Sequence, residues 1–269
     1  MVVFPNAKIN LGLHVLEKRP DGFHNIETVL YPIGLKDILE ILPSGAGKTE
    51  LHITGLPVPG DAEDNLCLKA YRMLAADHPL PPVRMHLHKV IPAGSGLGAG
   101  SSDGASALRV LNEVCGLGLT LDQLTLYAER LGSDCAFFLR NQPVYAYLRG
   151  ERFVPFAADL AGFRIAVIIP PAAVPTAWAY SKVKPGSPEY PLKEIVTGCK
   201  DSWRKLLVND FEKPVFEKYP EIGKIKKQLY DLGAAYASLS GSGSGVYGLF
   251  KETLPDLSGF RDCFTWCSD

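Results

Sequence analysis

The chain has 269 residues, of which 46% are hydrophobic and 21% charged, and its formal net charge is −1. That balance belongs to a folded globular protein, and it excludes the broad basic face that nucleic acid or an anionic membrane requires, so any anion site must be local. Six cysteines, Cys67, Cys115, Cys135, Cys199, Cys263 and Cys267, include no C-x-x-C pair, which indicates neither a zinc ribbon nor a disulfide framework and suits a reducing compartment.

The opening "MVVFPNAKINLGLHV" is interrupted by Pro5, Asn6 and Lys8, and no later run reaches the about 20 apolar residues of a membrane span. A cytoplasmic location is therefore expected. Ile9, Leu11, Leu13 and Val15 alternate with Lys8, Asn10, Gly12 and His14, which predicts a strand with one apolar and one polar face. A second alternating stretch sets Val83, Met85 and Leu87 opposite Arg84, His86 and His88 and runs straight into "IPAGSGLGAGSSDGASAL", residues 91–108. There Ala105, Leu108, Leu111 and Cys115 recur near a 3.6-residue period, predicting a helix that stops at Gly116.

In "TLDQLTLYAERLG", Thr120 with Gln123 makes a capping-box pattern, Leu124, Tyr127, Ala128 and Leu131 form one stripe, and Gly132 ends the helix. "SDCAFFL" and a strand "PVYAYL" follow. The pattern restarts near residues 150–160 with a buried strand, "FRIAVIIPP", and we expect two domains, 1–152 and 153–269. Pro220 opens a helix carrying Ile222, Ile225, Leu229 and Leu232, after which "YASLSGSGSGVYGLF" reads as two strands about a glycine-serine turn. This mixed order of strands and helices implies an α+β fold.

Backbone amides at a helix N-terminus hold phosphate oxygens, and glycine admits the ligand without a Cβ in the way. Residues 94–104 meet that description, with serines placed to cap the helix. A Walker A loop is excluded, because no lysine follows the glycines. A dinucleotide fingerprint through Gly94, Gly96 and Ala99 is a weak match, since Asp122, at the required distance, is explained by the first turn of its helix.

The segment 91–108 resembles the second signature of the galactokinase, homoserine kinase, mevalonate kinase and phosphomevalonate kinase (GHMP) superfamily. "AKINLGLHV", "LGSDCAFFL" and "SLSGSGSGVYGLF" are similar to that family's first signature, its catalytic-aspartate segment and its third signature, in the family's order. "DGFHN", "DNLCLKAYRML" and "NDFE" resemble the branch that phosphorylates 4-diphosphocytidyl-2-C-methyl-D-erythritol. The resemblance covers about residues 7–250. It departs at Phe23, where that branch often has Tyr, at Ser133, and in the Ser-Gly-Ser-Gly form of the third signature.

The resemblance implies a two-domain GHMP-kinase-like fold with its active site in the inter-domain cleft. ATP and Mg²⁺ would be the cofactors and the cytidine diphosphate derivative of methylerythritol the acceptor, with no nucleic acid or membrane partner. Asp134 would be the catalytic base and Lys8 its partner. Asn10, Phe23, His24, Thr176 and Tyr180 would bind the acceptor. Asn65, Leu66, Gly94, Ser95, Gly96, Leu97, Gly98, Ala99, Gly100, Ser101 and Ser102 would bind ATP, while Gly241 and Gly243 would let the third signature approach the acceptor. No residue is assigned as a metal ligand. Taken alone, each reading has a plainer rival: Asp134 a helix cap, Lys8 a solvated strand residue, His24 a solvated loop residue, Tyr180 a core aromatic. Another GHMP-type kinase, a nicotinamide oxidoreductase and a silent binding protein remain alternatives.

Overall fold

The computed structural model describes residues 1–45, 47–251 and 253–268. In chain order, the elements begin with β1 (Val2–Val3), β2 (Asn6–Lys18), β3 (His24–Lys36), β4 (Ile38–Pro43), β5 (Glu50–Gly55), α1 (Leu66–Asp77) and β6 (Val83–Lys89). They continue with α2 (Ala99–Val114), α3 (Leu121–Leu131), α4 (Cys135–Arg140), β7 (Val144–Leu148), β8 (Arg152–Pro155) and β9 (Arg164–Ile169). The last are α5 (Thr176–Lys182), α6 (Leu192–Thr197), α7 (Trp203–Leu206), α8 (Glu212–Lys218), α9 (Pro220–Asp231), β10 (Tyr236–Leu239), β11 (Val246–Phe250) and β12 (Phe264–Cys267).

The expected strands at the first alternating segment, at 83–89 and around the late glycine-serine turn are present, as are the three expected helices. The chain groups into two compact units that interleave along the sequence: residues 1–7, 34–93 and 98–142, and residues 8–33, 94–97 and 143–269. A cut at 152/153 would pass through β8, which pairs with β7 at Tyr147 and Arg152.

In the first unit a sheet of order β1-β4-β6-β5 has β5 parallel to β6 and its other pairs antiparallel. Strand β6 alternates strictly between buried and exposed residues, because Val83, Met85 and Leu87 belong to the core. Helix α2 packs on α1, α4 and β4. It comes close to α1 because residue 104 is glycine: a Cβ there would sit 2.8 Å from Leu66 Cβ. Helix α3 starts on the expected capping box, with both reciprocal hydrogen bonds formed.

Lys89 continues the inward series of β6 and is buried. Its ammonium donates to Asp103 Oδ2 at 2.7 Å and to Asp37. Asp37 Oδ1 also accepts the amides of Val90 and Ile91, at 2.6 and 2.9 Å. One ion cluster thus clamps the strand end and the start of the glycine loop to α2. Burying these charges is tolerable only because each meets an opposite one.

The second unit holds two sheets, β2-β3-β7-β8 and β10-β11-β9-β12. Leu13, Val15, Ile168, Phe211, Ile225 and Leu229 share one of its apolar clusters, and α9 packs on β10 and β11. The polar face of β2 is not solvated. Lys8, Asn10 and His14 are each no more than 4% exposed, so each side chain needs polar company. Among the described residues, no helix is long and apolar enough to cross a membrane.

Candidate active site

In the second unit, Lys8 Nζ donates to Asn10 Oδ1 at 2.6 Å and to the Gly96 carbonyl at 2.9 Å. Asn10 is fixed in turn: its Nδ2 donates to Thr28 Oγ1 at 3.0 Å, and its carbonyl accepts Tyr247 OH at 2.7 Å. Ser240 Oγ donates to the same Gly96 carbonyl at 3.0 Å, and the amide of Lys8 donates to Leu97 O at 2.9 Å. Strand β2, the front of the glycine loop and the third glycine segment are therefore cross-linked. The approach is tight enough that a Cβ on Gly96, whose φ is +77°, would lie 2.0 Å from Ser240 O. Gly243 N donates to Ser240 O at 2.9 Å, closing that turn, and a Cβ on Gly241 would be 3.2 Å from Gly96 O.

In the first unit, α2 opens on Gly98, which is left-handed (φ +73°) and supplies no side-chain cap. The expectation that a serine caps this helix is corrected: Ser101 and Ser102 lie inside the first turn. Ser102 N donates to Gly98 O at 3.0 Å, so the amides of Ala99, Gly100 and Ser101 precede the first intrahelical bond and point out of the helix start. Their positive dipole end is the chemistry a phosphate group seeks. Ser101 bonds the thiol of Cys135, and a Cβ on Gly132 would come within 3.9 Å of Ser101 Oγ. Burial, the largest influence, pushes that thiol up to about 12. The turn carrying Asp134 is thereby seated against the first turn of α2. Asp134 occupies the N-cap position of α4 yet makes no side-chain cap hydrogen bond, so capping does not account for it.

The other expected residues fall as follows. His24 and Tyr180 stack on each other, with centroids 5.1 Å apart and planes 21° apart, and Tyr180 also meets Phe211 edge-on. Burial, aided by the charge of Lys18, moves His24 below its ordinary pKa. Thr176 shares a 3.0 Å hydrogen bond with Ser242 of the third glycine segment. Phe23 is exposed, with the Arg149 guanidinium 5.0 Å above its ring. Asn65 is the N-cap of α1, its Oδ1 accepting Cys67 N at 2.9 Å, and Leu66 lies beneath Gly104. Both therefore have structural duties whatever else they touch.

Sequence reasoning missed Thr28, Ser240 and Tyr247, which orient Asn10 and Gly96, and the cluster of Asp37, Lys89 and Asp103. The first three carry no local signal, being brought in from distant strands. Lys89 did carry one, a lysine in register with an apolar face.

Residues 65–142 match the GHMP kinases N terminal domain and residues 192–257 the GHMP kinases C terminal domain. The chain is 50% identical over 260 residues to a 4-diphosphocytidyl-2-C-methyl-D-erythritol kinase of Bacteroides thetaiotaomicron, covering 95% of each chain. It is 47% identical to that of Parabacteroides distasonis, covering 99% of this chain and 98% of the other. Its structure matches a crystal structure of a 4-(cytidine 5'-diphospho)-2C-methyl-D-erythritol kinase with a TM-score of 0.83 at 31% identity, covering 99% and 98% of the two chains. A mevalonate kinase crystal structure, at 12% identity and a TM-score of 0.72, shares the fold. With both domains matched and half the residues identical across nearly the whole length, the chain belongs to the GHMP kinase family.

Proposed function

We propose that this chain transfers the γ-phosphoryl group of ATP to the 2-hydroxyl of 4-diphosphocytidyl-2-C-methyl-D-erythritol, a step of the non-mevalonate route to isoprenoid precursors. The observation that carries the reading is the 50% identity over 260 residues to a relative bearing that name.

ATP supplies the phosphoryl group. The acceptor oxygen bonds to the γ-phosphorus, the bond to the bridging oxygen breaks with its electron pair leaving on ADP, and the hydroxyl proton passes to the Asp134 carboxylate. The protein's work is chiefly to position and to stabilise charge. The amides of residues 94–102, including the open first turn of α2, hold the phosphates. Lys8, already aimed by Asn10 and Gly96 O, stabilises charge on the acceptor oxygen and the moving phosphoryl group. His24 reads the cytosine by hydrogen bonds, Tyr180 stacks on it, and Thr176 contacts the diphosphate. Among the described residues no group of three His, Cys, Asp or Glu is arranged to hold a metal, so Mg²⁺ would arrive on the phosphates and keep most of its water, as that ion commonly does.

A coupled ADP assay with a panel of acceptors tests the reading. ADP should form with the cytidine compound and not with homoserine or mevalonate; turnover of either of those in its place would overturn it.

A further inference from the structure

His14 lies six residues beyond Lys8 on β2, and nothing in the proposed reaction uses it. The residue is 4% exposed, and Nδ1 stands 3.4 Å from Asp210 Oδ1. The other oxygen of Asp210 accepts the Val15 amide at 2.8 Å, and the Asp210 amide donates to Leu13 O at 2.9 Å, so the carboxylate cannot swing away. Nε2 of the same ring has no hydrogen-bond partner. A buried ring nitrogen left so costs free energy that evolution usually avoids.

His14 lines a cavity of about 810 Å³ within the second unit, a size typical of small-molecule sites. Lys182, Lys184, Lys205 and Lys213 line it too, and among the described residues none of the four has an ion pair or hydrogen-bond partner for its ammonium. The acidic lining residues neutralise them only in part. Asp210 is held as described. Glu212 accepts from Lys226 at 2.6 Å and from Ser238 Oγ and Leu239 N at 3.0 Å each, and Glu189 bonds Tyr190. With Glu212 paired to Lys226, four ammonium groups face the carboxylates of Glu189, Asp210 and Glu217, a surplus of one positive charge. Between the lysines the wall is apolar, with Val183, Ile195, Leu206 and Pro214.

We propose that this cavity is a binding site for a small phosphate ester with an apolar body. Several lysine ammoniums around one cavity suit a dianionic phosphate better than a carboxylate, and the apolar wall takes the ester's organic part, with His14 among the residues beside it. No residue assigned above to ATP or to the acceptor lines the cavity. The site is therefore separate from the proposed reaction and does not rest on it.

The test titrates the intact protein with phenyl phosphate, inorganic phosphate and benzoate, following the His14 ring signals by NMR, identified by their loss in His14→Gln. Reading at His14 separates this site from the glycine loop, which can also take a phosphate. Phenyl phosphate should move the signals and bind about tenfold or more tightly than either other probe. Lys205→Glu/Lys213→Glu, at exposed positions, should weaken it by about tenfold or more, and Lys205→Gln/Lys213→Gln should weaken it less. Stationary His14 signals at millimolar phenyl phosphate, equal affinity for the three probes, or unchanged affinity in both double variants would each overturn the proposal.

Discussion

The ammonium of Lys8 donates to the carbonyl of Gly96, 88 residues later in the chain, at 2.9 Å. That bond fixes a buried charge to the loop assigned to the phosphates, and a second bond to Asn10 sets its direction. Lys8→Met keeps the apolar stem and removes the donor. It should lower kcat by about 100- to 1,000-fold and cost about 1–3 kcal/mol of stability by taking the ammonium donor from Asn10 Oδ1 and from Gly96 O, the latter keeping Ser240 Oγ. Steady-state kinetics and urea unfolding measure the two effects, and an unchanged kcat would remove Lys8 from the mechanism.

Asp134 stands at the head of α4 without capping it. Asp134→Asn retains size and polarity but cannot take a proton at that position. A fall in kcat of about 100- to 10,000-fold with little change in either KM is expected. A rise in KM at constant kcat would instead make Asp134 a binding group.

Two glycines of one glycine-rich segment should answer differently to the same change. At Gly96 a Cβ would strike the Ser240 carbonyl at 2.0 Å, so Gly96→Ala should be destabilised by about 1–3 kcal/mol and lose most activity. At Gly100 a Cβ meets nothing within 4 Å and the residue is helical, so Gly100→Ala should gain up to about 1 kcal/mol. Its KM for ATP should nonetheless rise if, as proposed, the phosphates lie on this helix start, because the methyl would stand among them. Thermal melting and ATP titration read both outcomes.

Burial pushes the Asp103 carboxyl up from its ordinary 3.8 to about 7, with the Lys89 ammonium opposing and Asp37 reinforcing the rise. A folded pKa above the unfolded one means that the group's contribution to stability is fully present below 3.8 and is lost as pH rises through about 7. Asp103→Asn abolishes this titration. Between about pH 5 and pH 7.5 the stability difference should therefore shift in the variant's favour, as denaturant melts across that range would show. A shift in the parent's favour would contradict the assignment.

Much of this was readable in the residues because it rests on local periodicity. The alternation of β2 and β6, the Thr120–Gln123 capping box and the Pro220 helix start are each dictated within a few residues. The glycine loop announced itself by composition, while Lys8 and Asn10 share a strand face but took their roles from the family resemblance. What could not be read depends on distant partners. No local pattern says that Tyr247 holds the Asn10 carbonyl, that β2 buries its polar face as well as its apolar one, or that His24 stacks on Tyr180. The serine cap expected at α2 failed because a left-handed glycine, needing no side chain, ends the loop first. The boundary at 152/153 rested on a change of pattern that falls within a hairpin.

The central claim is that the 2-hydroxyl of the cytidine substrate receives the phosphoryl group, and ³¹P NMR of the reaction mixture tests it most directly. Carbon 2 of that compound bears the methyl group and no hydrogen, so a phosphate ester formed there has no proton three bonds away. The account predicts a new monoester signal that appears with ADP as an unsplit line and is absent when Asp134→Asn replaces the parent. A monoester line split by carbinol protons, or ADP appearing with no new monoester, would contradict it.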